Sequence, residues 1–172
     1  MYSNANANRK AERCVIDFYE TLPENLRRFS FDIKKAVLTL GSCTVHSYQE
    51  FAANWDVDVG DIIAYCESYT GCTHKQGKNY MIMFNDSPDI SRADKTVTLA
   101  HELGHILLGH LTVLESFRIF NSSHANEHFE RDADQFAASV LKKAAREKSY
   151  SARGAEITVP AHLFERAELD WI

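Results

Sequence analysis

The chain has 172 residues, with 19 Lys and Arg against 24 Asp and Glu, a net charge of −5 and a pI near 5.9. That length suits one domain with a substantial core, and 45% hydrophobic with 25% charged residues excludes a disordered or fibrous chain. The acid excess removes the basic footprint behind most affinity for nucleic acid and anionic membranes, so neither is expected as a partner.

Residues 8–22 carry Ala11, Val15, Ile16, Phe18 and Tyr19 among charges, which predicts an amphipathic helix closed by Pro23. The polar start has no apolar run after its first charges, so a secretory signal is not expected. Asp32 to Leu40 predicts a second helix, stopped at Gly41. From Ser47 to Tyr65 two short helical patterns flank a turn, faintly like a helix-turn-helix. Glu50, Asp56, Asp58, Asp61 and Glu67 stand there with no Lys or Arg between His46 and Thr73, which repels phosphate, so two scaffold helices are expected. Cys14, Cys43, Cys66 and Cys72 form no CxxC pair; four reduced thiols and a cytoplasmic location are expected.

Tyr80-Met-Ile-Met-Phe84, followed by the turn signal Asn85-Asp-Ser-Pro88, predicts a buried strand. Ser91 to Leu111 and residues 126–146 carry helical periodicity, with a loop expected over Asn121–Asn126 between them. Ser149–Gly154 reads as a polar break, Ile157–Pro160 as a short extended piece and Ala161–Leu169 as a last helix. The most apolar stretch, Ile106–Leu114, is far too short to span a membrane.

His101-Glu102-Leu103-Gly104-His105 is an HExxH motif. At about 100° per residue its histidines lie about 40° apart on one helix face, one turn above each other, so both can reach one cation. Glu102 sits beside that face, placed to take a proton from a water at the cation without being a ligand. Random placement would yield about 0.03 such matches in this composition, so the motif leans on its context. A catalytic zinc normally has three protein ligands. The extended metzincin form needs Gly and His where the chain has Leu108 and Leu111, and it is excluded. His110 lies about 140° round the helix from His105 and is expected as a polar residue near the helix end. Glu130 and Asp134 share a face at i, i+4; Glu130 is placed to enter the metal shell and Asp134 to accept from the ring N–H of a ligand histidine. His124-Ala-Asn-Glu127-His128 matches the inverted zinc motif, but no apolar helical pattern leads into it, and its histidines are expected as surface or metal-adjacent residues.

With these residues together the chain resembles the ImmA/IrrE family of small zinc metallopeptidases. The likeness covers about residues 80–141: the Tyr80–Asp86 strand and turn, Thr98 to His110 around the HExxH, and Glu130-Arg-Asp-Ala-Asp134-Gln-Phe-Ala-Ala. The resemblance implies a single Zn2+ held by His101, His105 and Glu130, with Glu102 as general base and Asp134 behind a ligand. It also implies a mostly helical α+β fold in which a small antiparallel sheet packs on the active-site helix. Tyr80–Phe84 would be an edge strand whose Tyr80, Ile82 and Phe84 are candidates to pair with an extended substrate. One metallopeptidase domain over 1–172 is expected: an N-terminal helical part (1–75), a zincin core (76–146) and a C-terminal extension (147–172). Known members cleave, or trigger loss of, helix-turn-helix repressors of mobile elements or stress responses, so such a repressor is the implied partner. Two other readings are a non-cleaving, metal-stabilised module that sequesters a regulator through residues such as Phe51, Trp55 and Tyr65, and a structural domain with an accidental motif.

Overall fold

The computed structural model describes residues 4–28, 31–111 and 123–151. Helix α1 (Asn4–Thr21) buries Ala11, Val15, Phe18 and Tyr19 along one stripe, with Leu22 just beyond, and turns its charges to solvent. It crosses the end of the motif helix described below, where Lys10 Nζ donates to the Leu108 carbonyl at 3.4 Å and the Cys14 thiol lies 3.7 Å from that of Leu107. Those carbonyls have no partner within their own helix, so side chains of α1 close it. After Pro23 comes α2 (Glu24–Arg28), then α3 (Ile33–Leu38), which Asp32 caps by accepting from the Lys35 amide.

Strand β1 (Cys43–Ser47) follows, alternating inward Cys43, Val45 and Ser47 with Thr44 and His46. Ser47 ends the strand and starts α4 (Tyr48–Trp55) through a capping box, taking the Glu50 amide on its hydroxyl while the Glu50 carboxylate takes the Ser47 amide. Helix α5 (Val59–Cys66), the hairpin of β2 (Gly71–Gln76) and β3 (Asn79–Phe84), α6 (Arg92–Leu107) and α7 (Ser123–Ser151) complete the described order. Among the described residues no helix is long and apolar enough to cross a membrane.

Two of the three strands lie in the part expected to be helical, because β1 is short and β2 is polar. The sheet order is β1-β3-β2, with β1 parallel and β2 antiparallel to β3. The sheet is therefore mixed, and Tyr80–Phe84 is its centre rather than an edge. Its five apolar residues in a row are what a doubly paired strand with both faces covered requires. Ile82 and Phe84 join the core built with α1, α3, α6 and α7, while Met83, with Met81 beside it, joins a second cluster under α4 and α5.

Helix α7 takes in Ser123–Asn126, expected as loop, and the start of the expected polar break. No Gly or Pro stands anywhere from Ser123 to Ser151 to stop it. The extended piece at 157–160 and the last helix at 161–169 lie outside the described residues.

Helix α6 lies between the sheet and α7. Its contact with α7 is at Gly104, where a Cβ would meet the Cα and carbonyl oxygen of Ala133 and the Cβ of Phe136, each at 3.2 Å. Ala133 and Phe136 are fully buried, and Phe136 packs on Phe18 of α1, so α7 has little freedom to retreat. Gly104→Val is expected to destabilise the fold by about 1–3 kcal/mol through overpacking, despite the better helix propensity of the new residue. Urea denaturation checks this; unchanged stability would mean that α6 and α7 do not touch at this position.

Candidate metal centre

Helix α6 is started by Ser91, whose hydroxyl accepts the Asp94 amide, and it carries His101 and His105 one turn apart. Their Nε2 atoms are 3.0 Å apart. Helix α7 brings in Glu130, with Oε2 3.1 Å from His101 Nε2 and Oε1 3.4 Å from His105 Nε2. Tetrahedral ligands at about 2.0–2.1 Å from zinc lie about 3.3 Å from one another, so this triangle of donors fits a single such cation. His101 Nδ1 donates to Asp134 Oδ1 at 2.8 Å, so the Nε2 proton shared with Glu130 is the one a metal would displace to reach that lone pair. The structure thus brings His101, His105, Glu130 and Asp134 together, and the first three form a group that could hold an ion.

The electrostatics favour a cation at this point. Burial opposes charge on His101, yet its hydrogen bonds to Asp134 and Glu130 and the nearby Glu102 push its pKa up to about 10. In turn, hydrogen bonds from His101 and His105 hold the Glu130 carboxyl well below the usual carboxylate range, against partial burial. A proton on His101 satisfies part of the demand for positive charge among three carboxylates; a divalent cation among the same atoms satisfies it more fully.

Glu102 is buried beside the pair, and its Oε2 accepts from Thr73 Oγ1 of β2 at 2.7 Å. The close fit of β2 on α6 depends on Gly71, where a Cβ would lie 2.5 Å from Thr98 Cγ2 and 3.0 Å from the Met83 carbonyl oxygen. An open cleft of about 760 Å³ lies over the group, walled by β2 on one side and by Glu130 and Asp134 on the other. Of the expected substrate-strand residues, Ile82 and Phe84 are buried and Tyr80 packs against the core; all three sit in a strand paired on both sides. The strand at the cleft is β2.

Thr73 and His110 were not among the residues singled out for the site. His110, expected as a polar residue near the helix end, stands just past that end and is buried against His105. Helix α6 stops at Leu108, and Gly109, with φ 78°, turns the chain so that the following imidazole folds back. His110 is 1% exposed, and its Nδ1 lies 3.1 Å from Nδ1 of His105. Burial and the His105 charge depress its pKa to about 3, so it is neutral. The pairing that frees His105 Nε2 for a metal has His105 Nδ1–H donating to His110 Nδ1. The remaining N–H of His110 then points toward Asp132, whose Oδ2 is 4.0 Å away, and His128 approaches the same oxygen at 3.7 Å. The side chain of His124 lies outside the described residues.

His110→Ala leaves the buried His105 Nδ1–H without an acceptor and is expected to weaken zinc binding about 10- to 100-fold, with His110→Asn restoring part of the loss through its side-chain oxygen. Competition against a metal-sensitive dye measures both. Equal affinity in wild type and His110→Ala would remove His110 from the centre.

Residues 67–168, more than half of the chain, match the family model described as the IrrE N-terminal-like domain, Peptidase_M78. No curated protein and no solved structure matches. The match spans β2, β3, the HExxH helix and the helix that brings Glu130, which are the elements that assemble the centre. The chain belongs to the Peptidase_M78 family of IrrE N-terminal-like domains, which makes it metallopeptidase-like.

Proposed function

We propose that the chain is a cytoplasmic zinc endopeptidase that cuts a helix-turn-helix repressor protein, with His101, His105 and Glu130 as zinc ligands, Asp134 orienting His101 and Glu102 as general base. The observation that carries this reading is the convergence of three donor atoms beside one buried carboxylate at an open cleft. Two imidazoles and a carboxylate with a position left open suit zinc. The ion supplies Lewis-acid polarisation of the scissile carbonyl and acidifies a water near neutral pH.

The chain's own residues do the rest. Thr73 occupies one oxygen of Glu102, which leaves Oε1 to accept the proton of the attacking water and then deliver it to the departing amine. Because that hydrogen bond comes from the sheet, the carboxylate is fixed relative to any peptide lying on β2. An extended segment added to the edge of β2 away from β3, which pairs with no strand among the described residues, would lie about 4.8 Å away, run along the cleft and present its carbonyls to the centre. Its main-chain bonds would supply affinity, with side chains settling in the cleft beside Val97 and Leu111.

The charge distribution agrees with a basic DNA-binding protein as substrate. Glu50, Asp56, Asp58, Asp61 and Glu67 fall on and after α4 and α5 in a stretch with no Lys or Arg, and local acid excess of this kind draws in a basic partner.

Glu102→Gln is expected to keep its zinc and its Thr73 contact while losing peptide cleavage about 10²- to 10⁴-fold, the usual contribution of a positioned base. Zinc-loaded wild type and variant, incubated with a library of peptides from a bacterial proteome and read by mass spectrometry, measure this. Cleavage at the wild-type rate by the variant would reject Glu102 as base. A silent variant that still relieved a repressor-controlled reporter in cells would point instead to sequestration without cutting.

A further inference from the structure

Strand β2 has a second face. Its period of two turns Thr73 toward Glu102 and puts Cys72 and His74 on the opposite side, paired with Met83 and Met81 of β3. Cys66, the last residue of α5, arrives at the same point from across the 67–70 connection. Cys72 Sγ is 3.5 Å from His74 Nε2, and Cys66 Sγ is 4.0 Å from it. With Zn–S of about 2.3 Å and Zn–N of about 2.0 Å, sulfur and nitrogen donors of a tetrahedral site lie about 3.5 Å apart. The Cys72 separation meets that value, and the Cys66 sulfur lies somewhat farther out. All three residues are partly buried, and burial lowers the His74 pKa against the pull of Glu102.

We propose that Cys66, Cys72 and His74 form a second cation site, selective for Zn2+ or a similarly thiophilic divalent ion, where α5 meets β2; Cys66 and Cys72 also border the cleft over the centre of His101, His105 and Glu130. The reduced thiol pair is the binding form; the structure holds the two sulfurs joined as a disulfide. Interconversion balances: a dithiol reductant delivers two electrons and two protons to the S–S bond and becomes a disulfide itself, and Zn2+ then displaces both protons as the thiolates bind. The Cα atoms are 5.9 Å apart, so rotation about the Cα–Cβ bonds can open the sulfurs to the roughly 3.8 Å that two zinc thiolates need. Three protein donors leave a fourth position for water or an incoming ligand.

A cation here ties the end of α5 to the strand that positions Glu102. Occupancy would stiffen β2 on one face while Thr73 orients the carboxylate from the other. The expectation of four reduced thiols is corrected in the same place: Cys66 and Cys72 are partners, while Cys14 and Cys43 are free. The pair stand six positions apart along the chain, and the α5–β2 turn, with Glu67 at φ 50°, brings them together.

The full chain, reduced with dithiothreitol, titrated with Zn2+ and desalted, is read by elemental mass spectrometry. About two zinc ions per chain are expected in wild type, about one in Cys72→Ser, about one in Glu130→Ala and none in the double variant. Co2+ in place of zinc should give thiolate-to-cobalt charge-transfer absorption in wild type and in Glu130→Ala but not in Cys72→Ser. One zinc in wild type, unchanged in Cys72→Ser, with no charge-transfer band, would overturn the site; Glu130→Ala reports separately on the other centre. Should Cys72→Ser fail to fold, the cobalt band of wild type decides, together with zinc protection of two of its thiols against a thiol-specific reagent, reversed by chelator.

Discussion

Position 104 sets how closely α6 and α7 can lie, and the distances of the metal centre follow from that. His101 and His105 flank Gly104 on α6, while Glu130 and Asp134 flank Ala133 on α7, so the contact between the two small residues is the pivot about which the donors meet. A Cβ at 104 would already touch backbone at 3.2 Å, and the hydrogen-bond distances from Glu130 to the histidines leave no slack to absorb a shift. The opposite side of α7 is held by α1 through Phe18 against Phe136. The helix pair is thus clamped from outside and limited from within, which is how a small fold keeps three side chains of two helices in register.

Two buried imidazoles near this pivot move in opposite directions, and the contrast explains how the centre is oriented. His101 faces Asp134, Glu130 and Glu102, and its pKa rises to about 10; His110 is buried against His105, with Asp132 4.0 Å from its far nitrogen, and its pKa falls to about 3. Burial acts against charge in both: at His101 the carboxylates overcome it, while at His110 burial leads and the His105 charge adds to it. Each metal-facing histidine thereby gains a different partner on its far nitrogen. Asp134 of α7 fixes one ring, and the neutral His110, carried by the turn after α6, fixes the other. The two orienting groups come from separate elements, so the geometry of both ligands depends on the packing of the whole helix pair.

What was legible in the sequence is what local periodicity controls. HExxH on a helix puts two imidazoles on one face whatever the fold, and Glu130 with Asp134 at i, i+4 does the same for the carboxylates. The five-residue apolar run of β3 announced burial, but burial on both faces and an apolar edge strand read alike until the neighbours are known. Strand order is a long-range property: β1 joins β3 across nearly forty residues of chain, a pairing that no window of sequence contains. His110 differs for another reason. An angle of about 140° from His105 assumes a helix running to Leu111, whereas Gly109 in the left-handed region ends that helix and reverses the direction of the next side chain.

Strand β2 escaped notice because Gly-Cys-Thr-His-Lys-Gln carries no apolar alternation, and that same composition is why it lies at the edge. A strand that contributes little to the core is free to spend both faces on chemistry. Thr73 reaches Glu102 on one side, Cys72 and His74 meet Cys66 on the other, and the edge of β2 away from β3, unpaired among the described residues, borders the cleft. The apolar strand belongs in the middle, where burial is complete, and the polar one at the border, where a peptide, a metal or a general base can be reached. Alternation by one residue along β2 therefore separates the group that holds the base from the group that binds sulfur-seeking cations, and both depend on the pairing of this strand with β3.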